Sequence, residues 1–347
     1  MKRLLLPVAW IYGSVVAVRN WAFDAGILQQ RRADVPVISV GNMTAGGTGK
    51  TPLVEYIVGY LLCCGRRVAV VSRGFGRRSH GVVIVACGGK VLVDAVQGGD
   101  EPVQIARKFP EASVVVGERR ADAARVAIRE CGADVIVLDD GFQHRSMYRN
   151  LDIVVLDARK DIGGEMLLPA GMRREWLAGL RRAHMLGFSR ADRGAIPAWG
   201  ERWARGCEGR MFAFRASATG FFSIAGERVD QVRGPVLAFS GIGDHDGFVK
   251  TLREAGVLVA GDVRFADHHW MAEGDVAAIL ARAEKCGAQM LVTTEKDAVR
   301  LAADPQLAEK IVRAMPILWA SLTVDVPAGR ETLEAEIDRC LAGGVRQ

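Results

Sequence analysis

Short apolar runs recur along this chain, separated by stretches whose hydrophobic positions return every third or fourth residue. Residues 35–40, 68–72, 113–116, 135–138 and 153–156 are apolar at nearly every position, the pattern of strands buried on both faces of a parallel sheet. The stretches after Thr51, Asp100 and Glu118 read as helices. Strands and helices alternating in this way predict an α/β fold with a mostly parallel, doubly wound sheet and ligands at the strand carboxyl ends. Residues 82–86 and 91–93, joined across Gly88 and Gly89, read as a β-hairpin insert.

Past residue 190 the pattern breaks. Residues 191–209 are rich in Gly, Pro, Trp and charge, with Pro197 interrupting any periodicity, which places a domain boundary there. A smaller second α/β domain follows, with strands at 236–240, 289–293 and 317–324 and a helix at 248–255. The expected organisation is an N-terminal helix (1–30), a core (31–200) and a C-terminal α/β domain (201–347) that closes a cleft.

The amino terminus departs from both patterns. From Leu4 to Val18 there is no charge, and Arg19, Trp21 and Phe23 follow. That run is shorter than the ~20 apolar residues a spanning helix needs. Trp10, Tyr12 and Trp21 suit a helix at a bilayer surface, where amphipathic aromatics settle at headgroup depth. A core helix packed on the sheet would explain the same residues, and both hold if one face packs while the other meets lipid.

The chain has 347 residues, 50% of them hydrophobic, enough for two ordinary cores and too apolar for disorder. A formal charge of +6 suits an anionic partner: nucleic acid, an acidic membrane surface or a phosphorylated substrate. No basic element interleaved with aromatics supports nucleic acid. The seven cysteines have neither metal nor disulfide-framework spacing, which fits reduced thiols in a cytoplasmic setting.

Candidate chemistry concentrates at strand ends. The stretch from Val37 to Thr51 runs from a strand into Thr44-Ala-Gly-Gly-Thr-Gly-Lys-Thr51 and reads as a P-loop, so the fold is of the P-loop NTPase type. Backbone N–H groups of Thr44, Ala45, Gly46, Gly47, Thr48 and Gly49 would cradle phosphates, with Lys50 on the β/γ-phosphates and Thr51 on Mg²⁺. Thr44 stands where the usual pattern has its first glycine. Asp134-Val-Ile-Val-Leu-Asp-Asp140 reads as a Walker B strand, with Asp139 on the metal directly or through water. Gly98-Gly-Asp-Glu-Pro102 places Asp100 and Glu101 at a helix start, where capping alone would explain them; near Mg²⁺–ATP one of them would be a general base. Gln143 and His144, past the Walker B strand, would face the phosphates. Arg73, Arg120 and Arg173 offer guanidinium groups to a substrate phosphate. His268, in Phe265-Ala-Asp-His-His-Trp270, has no partner at zinc-ligand spacing. Thr293-Thr-Glu-Lys-Asp297 sits at a further strand end.

Taken in order, Val40-Gly-Asn-Met-Thr-Ala-Gly-Gly-Thr-Gly-Lys-Thr-Pro52, Ser72-Arg-Gly-Phe-Gly-Arg77, Gly99-Asp-Glu-Pro102, Leu138-Asp-Asp-Gly-Phe-Gln-His144, Leu168-Pro-Ala-Gly171, Phe239-Ser-Gly-Ile242, Phe265-x-Asp-His268 and Thr293-Thr-Glu-Lys-Asp297 closely resemble the tetraacyldisaccharide 4′-kinase family. Where that family often has Leu-Arg-Glu-Pro after the Pro-Ala-Gly loop, this chain has Met172-Arg-Arg-Glu-Trp176. The resemblance implies transfer of the ATP γ-phosphoryl group to the 4′-hydroxyl of a tetraacylated glucosamine disaccharide 1-phosphate. It implies work at the cytoplasmic face of a bacterial inner membrane, by a monomer held peripherally or through its amino terminus. ATP and Mg²⁺ are the expected cofactors, with Thr51, Glu101, Asp139 and Gln143 as metal ligands. Lys50, Asp139, Asp100 and His268 are the expected catalytic residues. Asp100 would be the base and His268 its hydrogen-bonded partner, raising the pair toward neutrality; Asp139, Asp140 and Glu101 are the alternative bases. A competing reading is a membrane-associated P-loop switch or partitioning ATPase. Such loops typically carry an extra lysine just before the glycines, where this chain has Ala45.

Overall fold

The computed structural model describes residues 2–191, 194–204, 207 and 209–343. Helix α1 (Leu6–Asp24) precedes strand β1 (Val37–Asn42), which runs through the glycine loop into α2 (Lys50–Cys63). Then come β2 (Val68–Ser72), the hairpin β3 (Val83–Cys87) and β4 (Lys90–Val91), helices α3 (Ala95–Gly98) and α4 (Asp100–Lys108), β5 (Ser113–Val116), α5 (Arg120–Cys131), β6 (Val135–Asp139) and β7 (Leu151–Asp157). The second half holds β8 (Met185–Ser189), β9 (Met211–Ser223), β10 (Arg228–Val229), β11 (Val236–Ser240), α6 (His245–Glu254), β12 (Val259–Arg264) and α7 (Glu273–Lys285). It ends with β13 (Met290–Thr294), α8 (Glu295–Leu301), α9 (Pro305–Ala314), β14 (Ile317–Ala328) and α10 (Arg330–Ala342).

All the strands join one sheet, ordered β12-β11-β13-β14-β9-β8-β7-β1-β6-β2-β5-β3-β4, with β10 beside β9. From β8 to β5 the neighbours are parallel, as they are from β12 to β14. The two sets run in opposite directions because β9 is parallel to β8 yet antiparallel to β14. Phe214 pairs with Ser189 at the end of β8, whereas Phe221 pairs with Ala320, itself opposite Thr294 at the end of β13. The carboxyl edges of the two half-sheets therefore face each other along the middle of the β9–β14 ribbon. In an open parallel sheet those edges are where ligands bind, so this topology aims two such edges at one cleft.

Each half-sheet is covered on both faces. Leu53, Ile57 and Leu61 of α2, Val103 and Ile105 of α4, and Leu333 and Ile337 of α10 pack on one face of the first half. Ala123, Ala124 and Ala127 of α5 pack on the other. Ile279 and Ile311, from α7 and α9, and Phe248 and Leu252, from α6, do the same for the second half. α10 thus returns to the first half, where Glu334 and Asp338 accept the hydroxyls of Tyr56 and Tyr60. The segment 191–209, read as a boundary, falls partly outside the described residues, and the strands flanking it are hydrogen-bonded neighbours in the sheet. β8, β9 and β12 had no counterpart in the sequence reading. Burial in β9 and β12 is only partial, so their apolar signal is weak.

Helix α1 lies against the segment 166–176. Ala9 packs with Leu167 and Ala170, the Trp176 indole donates to Gly13 O (2.9 Å), and the Tyr12 hydroxyl donates to Arg174 O (2.8 Å). Val8, Trp10, Ile11, Val15, Val18 and Trp21 are exposed. Among the described residues no helix is long and apolar enough to cross a membrane.

Candidate active site

The glycine loop is shaped by its own sequence and by what touches it. Gly49 has φ +79° and ends the loop just before α2 begins at Lys50, a left-handed conformation that a side chain would strain. Asn42 Nδ2 donates to Thr48 Oγ1 (2.8 Å). A Cβ on Gly47 would lie 3.4 Å from Gly243 of the second half, so the two halves meet directly at the loop. The contact is reinforced by Arg190, a non-glycine residue at φ 57°. Its guanidinium donates to Gly47 O (2.5 Å) and Asp157 (2.8 Å), and its Nε lies 2.5 Å from Asp244, the residue that caps α6. A strained residue gripping both halves beside a phosphate loop has the character of a functional site.

Around the loop opens a cleft of about 940 Å³, lined from both halves. Ala45 through Thr51 line it, together with Arg73, Glu101, Arg120, Asp139, Asp140, Gln143, His144, Arg174, Arg190 and His268. Thr44 sits behind the loop, in an isolated bridge with Arg173. Arg173 is likewise absent from the cleft wall; neighbouring Arg174 reaches it instead, with Nη1 2.9 and 2.8 Å from the two oxygens of Asp140. Lys50 Nζ lies 3.5 Å from the same carboxylate. Burial opposes the Asp140 charge, yet Lys50 and Arg174 outweigh it and hold the group below its ordinary value.

Asp139 has the opposite balance. Burial, with Glu101 and Asp140 nearby, pushes it up to about 7, and its Oδ1 is buried without a hydrogen-bond partner. An orphaned, buried carboxylate oxygen crowded by other carboxylates is where a divalent cation compensates charge, so Thr51, Asp139 and Glu101 fit Mg²⁺. Gln143 stands on the same wall: its Nε2 donates to Asn42 O and Glu175, and its Oε1 accepts from Arg174 at 3.3 Å, which leaves that oxygen a second lone pair for the same ion.

Arg120 is 2% exposed at the start of α5, and its Nε has no partner. Burial, only partly countered by Asp139 and Asp140, lowers its pKa to about 10. It therefore stays charged, with donor capacity to spare for an anion.

The second half delivers His268 from a tight turn after β12, at φ 59°, with its N–H on Gly241 O (3.0 Å). Its Nδ1 lies 3.0 Å from Asp100 Oδ2. Asp100 is 4% exposed; Arg300 Nε approaches Oδ2 to 3.2 Å and the Glu101 N–H donates to Oδ1 (2.9 Å). The two residues are thus joined, with His268 as the member on the cleft wall and Asp100 behind it. The expected rise toward neutrality is not observed for the carboxylate. Burial favours the neutral form, but the His268 hydrogen bond and the Lys296 and Arg300 charges prevail and hold Asp100 at about 2.

Sequence reasoning did not single out Arg174, Arg190, Asp244 or Arg300. Arg174 carried a signal, as part of an arginine pair after the Pro-Ala-Gly turn, without a way to tell which of the two faces inward. Arg190 and Asp244 lie in loops with no motif, one after β8 and one after β11, and they meet because the carboxyl edges of the two half-sheets face each other.

The family model described as tetraacyldisaccharide-1-P 4′-kinase matches residues 1–342. A tetraacyldisaccharide 4′-kinase of Chlorobaculum tepidum is 38% identical over 340 residues, covering 96% of each chain. One of Geobacter metallireducens is 38% identical over 346 residues, covering 97% of this chain and 98% of that relative. Among solved structures, the "apo" form of LpxK from Aquifex aeolicus in complex with ATP aligns with TM-score 0.77 and 30% identity, covering 98% of this chain and 99% of that one.

Proposed function

Since the chain belongs to the tetraacyldisaccharide 4′-kinase family, we propose a reaction at the lipid surface in which both half-sheets act on one phosphoryl group. The protein is an ATP-dependent kinase of lipid A biosynthesis. It transfers the γ-phosphoryl group to the 4′-hydroxyl of a tetraacylated glucosamine disaccharide 1-phosphate. The bond from γ-phosphorus to the β,γ-bridging oxygen breaks, a bond to the 4′-oxygen forms, ADP departs, and the hydroxyl proton passes to the Asp100–His268 pair.

Lys50 and the loop amides hold the triphosphate, and Arg120 and Arg73 add positive charge on the cleft wall. Mg²⁺, held by Thr51, Asp139 and Glu101, would supply charge neutralisation on the phosphates. Phosphoryl transfer proceeds through a loose transition state, so the nucleophile needs positioning more than a strong base. An Asp100 carboxylate that stays ionised at neutral pH suits that demand. His268 orients it through its Nδ1 contact.

The observation that carries this reading is the convergence of a P-loop from one half-sheet and a carboxylate–histidine pair spanning both. Arg73 and Arg120 are the groups for the lipid phosphate, and the exposed apolar face of α1 supports work at the cytoplasmic face of the inner membrane. The cleft is complete within one chain, which suits a monomer. Incubation with γ-phosphate-labelled ATP and the lipid disaccharide 1-phosphate should label the lipid. ATP consumption that ignores the lipid acceptor would overturn the assignment.

A further inference from the structure

The Thr293-Thr-Glu-Lys-Asp297 segment has so far been given no part in the reaction, and its residues divide in purpose. Thr294 caps α8 by accepting from the Asp297 N–H. Asp297, buried, accepts the Gly241 N–H at 3.0 and 3.2 Å. These contacts fix where α8 begins. Lys296, between them, projects into the cleft. Its Nζ lies 3.0 Å from Glu101 Oε1 and 3.3 Å from His268 Nε2, with Asp267 at 3.7 Å and Asp100 at 3.8 Å.

An ammonium group has only N–H donors, so the contact requires His268 Nε2 to be the acceptor. In a neutral imidazole the proton then sits on Nδ1, where it can be donated to Asp100. The other tautomer would place the Nδ1 lone pair against the carboxylate and repel it. Asp100 thus sets the tautomer, while a φ of 59° fixes only where the ring starts, so the ring's orientation depends on its partner at Nε2. Three carboxylates within 4 Å of Nζ, those of Glu101, Asp267 and Asp100, hold the lysine in place as that donor.

We infer that Lys296 is a positioning residue: by donating to His268 Nε2 while anchored on Glu101, it holds the imidazole in the orientation whose Nδ1–H engages Asp100 and aligns the pair across the two half-sheets. It acts through His268 rather than on the substrate. This role rests on the kinase reading and on the Asp100–His268 pair.

The test uses the full chain with ¹⁵N-labelled histidine, His268→Gln identifying the His268 signal among the six histidines. Lys296→Met removes the donor, Lys296→Leu is a second neutral variant should the first not fold, and Lys296→Arg restores a cationic donor. Wild type should show the proton on Nδ1 and a hydrogen-bonded acceptor nitrogen at Nε2, and the neutral variants should move the Nε2 signal toward that of an unbonded nitrogen. The kcat for lipid phosphorylation should fall about 10²-fold, with the KM for ATP changed less than about threefold, and the arginine variant should recover at least about tenfold. An unchanged Nε2 signal in a folded neutral variant overturns the inference, as does a kcat within about threefold of wild type. A loss shared equally by ATP affinity and melting temperature also overturns it, as a structural role. If wild type fails to phosphorylate the lipid, the kinase reading falls, while the Nε2 comparison still decides whether the lysine holds the imidazole.

Discussion

His268 Nδ1 and Asp100 Oδ2 lie 3.0 Å apart, although one belongs to a turn of the second half-sheet and the other opens a helix of the first. Each residue alone is an incomplete device. Positioned proton transfer is worth about 10²- to 10⁴-fold, so Asp100→Asn and His268→Ala should each lower kcat by that order, with little change in the KM for ATP. The double variant should lose far less than the product of the two. Steady-state kinetics on all three decides it, and fully multiplicative losses would mean that the residues act independently.

Lys50→Ala and Thr51→Ala should abolish lipid phosphorylation while leaving the far-ultraviolet spectrum unchanged. Both side chains line the cleft and their loss opens no core cavity. Turnover near wild type in a folded Lys50→Ala protein would remove the basis for the P-loop assignment.

The arginines offer a contrast between neighbours. Arg120→Met should raise the KM for the lipid acceptor by about 10- to 100-fold, because hydrogen bonds to charged groups are worth about 1.5–3 kcal/mol. Arg173→Met should change it by less than about threefold, since that residue stands off the cleft wall. Equal effects would mean that the segment 172–174 rearranges when lipid binds.

Helix α1 has two faces with separable tasks. Ile11→Ser, Val15→Ser and Val18→Ser together remove exposed apolar area and should weaken sedimentation with anionic vesicles, with ATP binding unaffected. Tyr12→Phe should do the reverse, because its hydroxyl holds Arg174 O, and Arg174 N–H in turn donates to Met43 O at the mouth of the glycine loop. Deleting the whole helix would confound the two. Undiminished vesicle binding by the triple variant would place the anchor elsewhere.

His144 makes stability depend on pH. Burial and the nearby Arg120 charge lower its pKa from 6.5 to about 4, so between those values the unfolded chain binds more protons than the folded one. Its contribution is complete above pH 6.5 and is lost as pH falls toward 4, about 3 kcal/mol in all. Chemical denaturation of wild type and His144→Gln across that window should show a shallower slope for the variant. Parallel slopes would show that another group governs the acid limb.

Much of the first half was legible because its strands are buried on both faces and its motifs are local: loop, lysine and threonine are contiguous in sequence. The 35–40 run became β1 at Val37–Asn42, and the hairpin formed where Gly88 and Gly89 suggested it. Legibility failed where meaning depends on register. Arg173 and Arg174 are adjacent in sequence and differ only in which way a short bridge to the glycine loop turns them. Gln143 has the right chemistry for a metal, but the partners that orient its amide, Asn42, Glu175 and Arg174, lie in other segments of the chain. The Asp100–His268 pairing was inferable as chemistry. The cations that keep its carboxylate ionised, Lys296 and Arg300, come from a helix whose docking no local pattern encodes.

The β9–β14 ribbon behaves as a ruler. Between Phe214, level with the end of β8, and Phe221, level with the end of β13, it spans about 24 Å of extended chain at roughly 3.4 Å per residue. Hydrogen-bonded strands hold that gauge far more tightly than a linker could. Lengthening both strands by one pleat would carry His268 about 7 Å from Asp100 without altering either edge. The reach between nucleotide and acceptor is thus written in strand length, and relatives with a longer or shorter gauge would be expected to grip a differently sized acceptor.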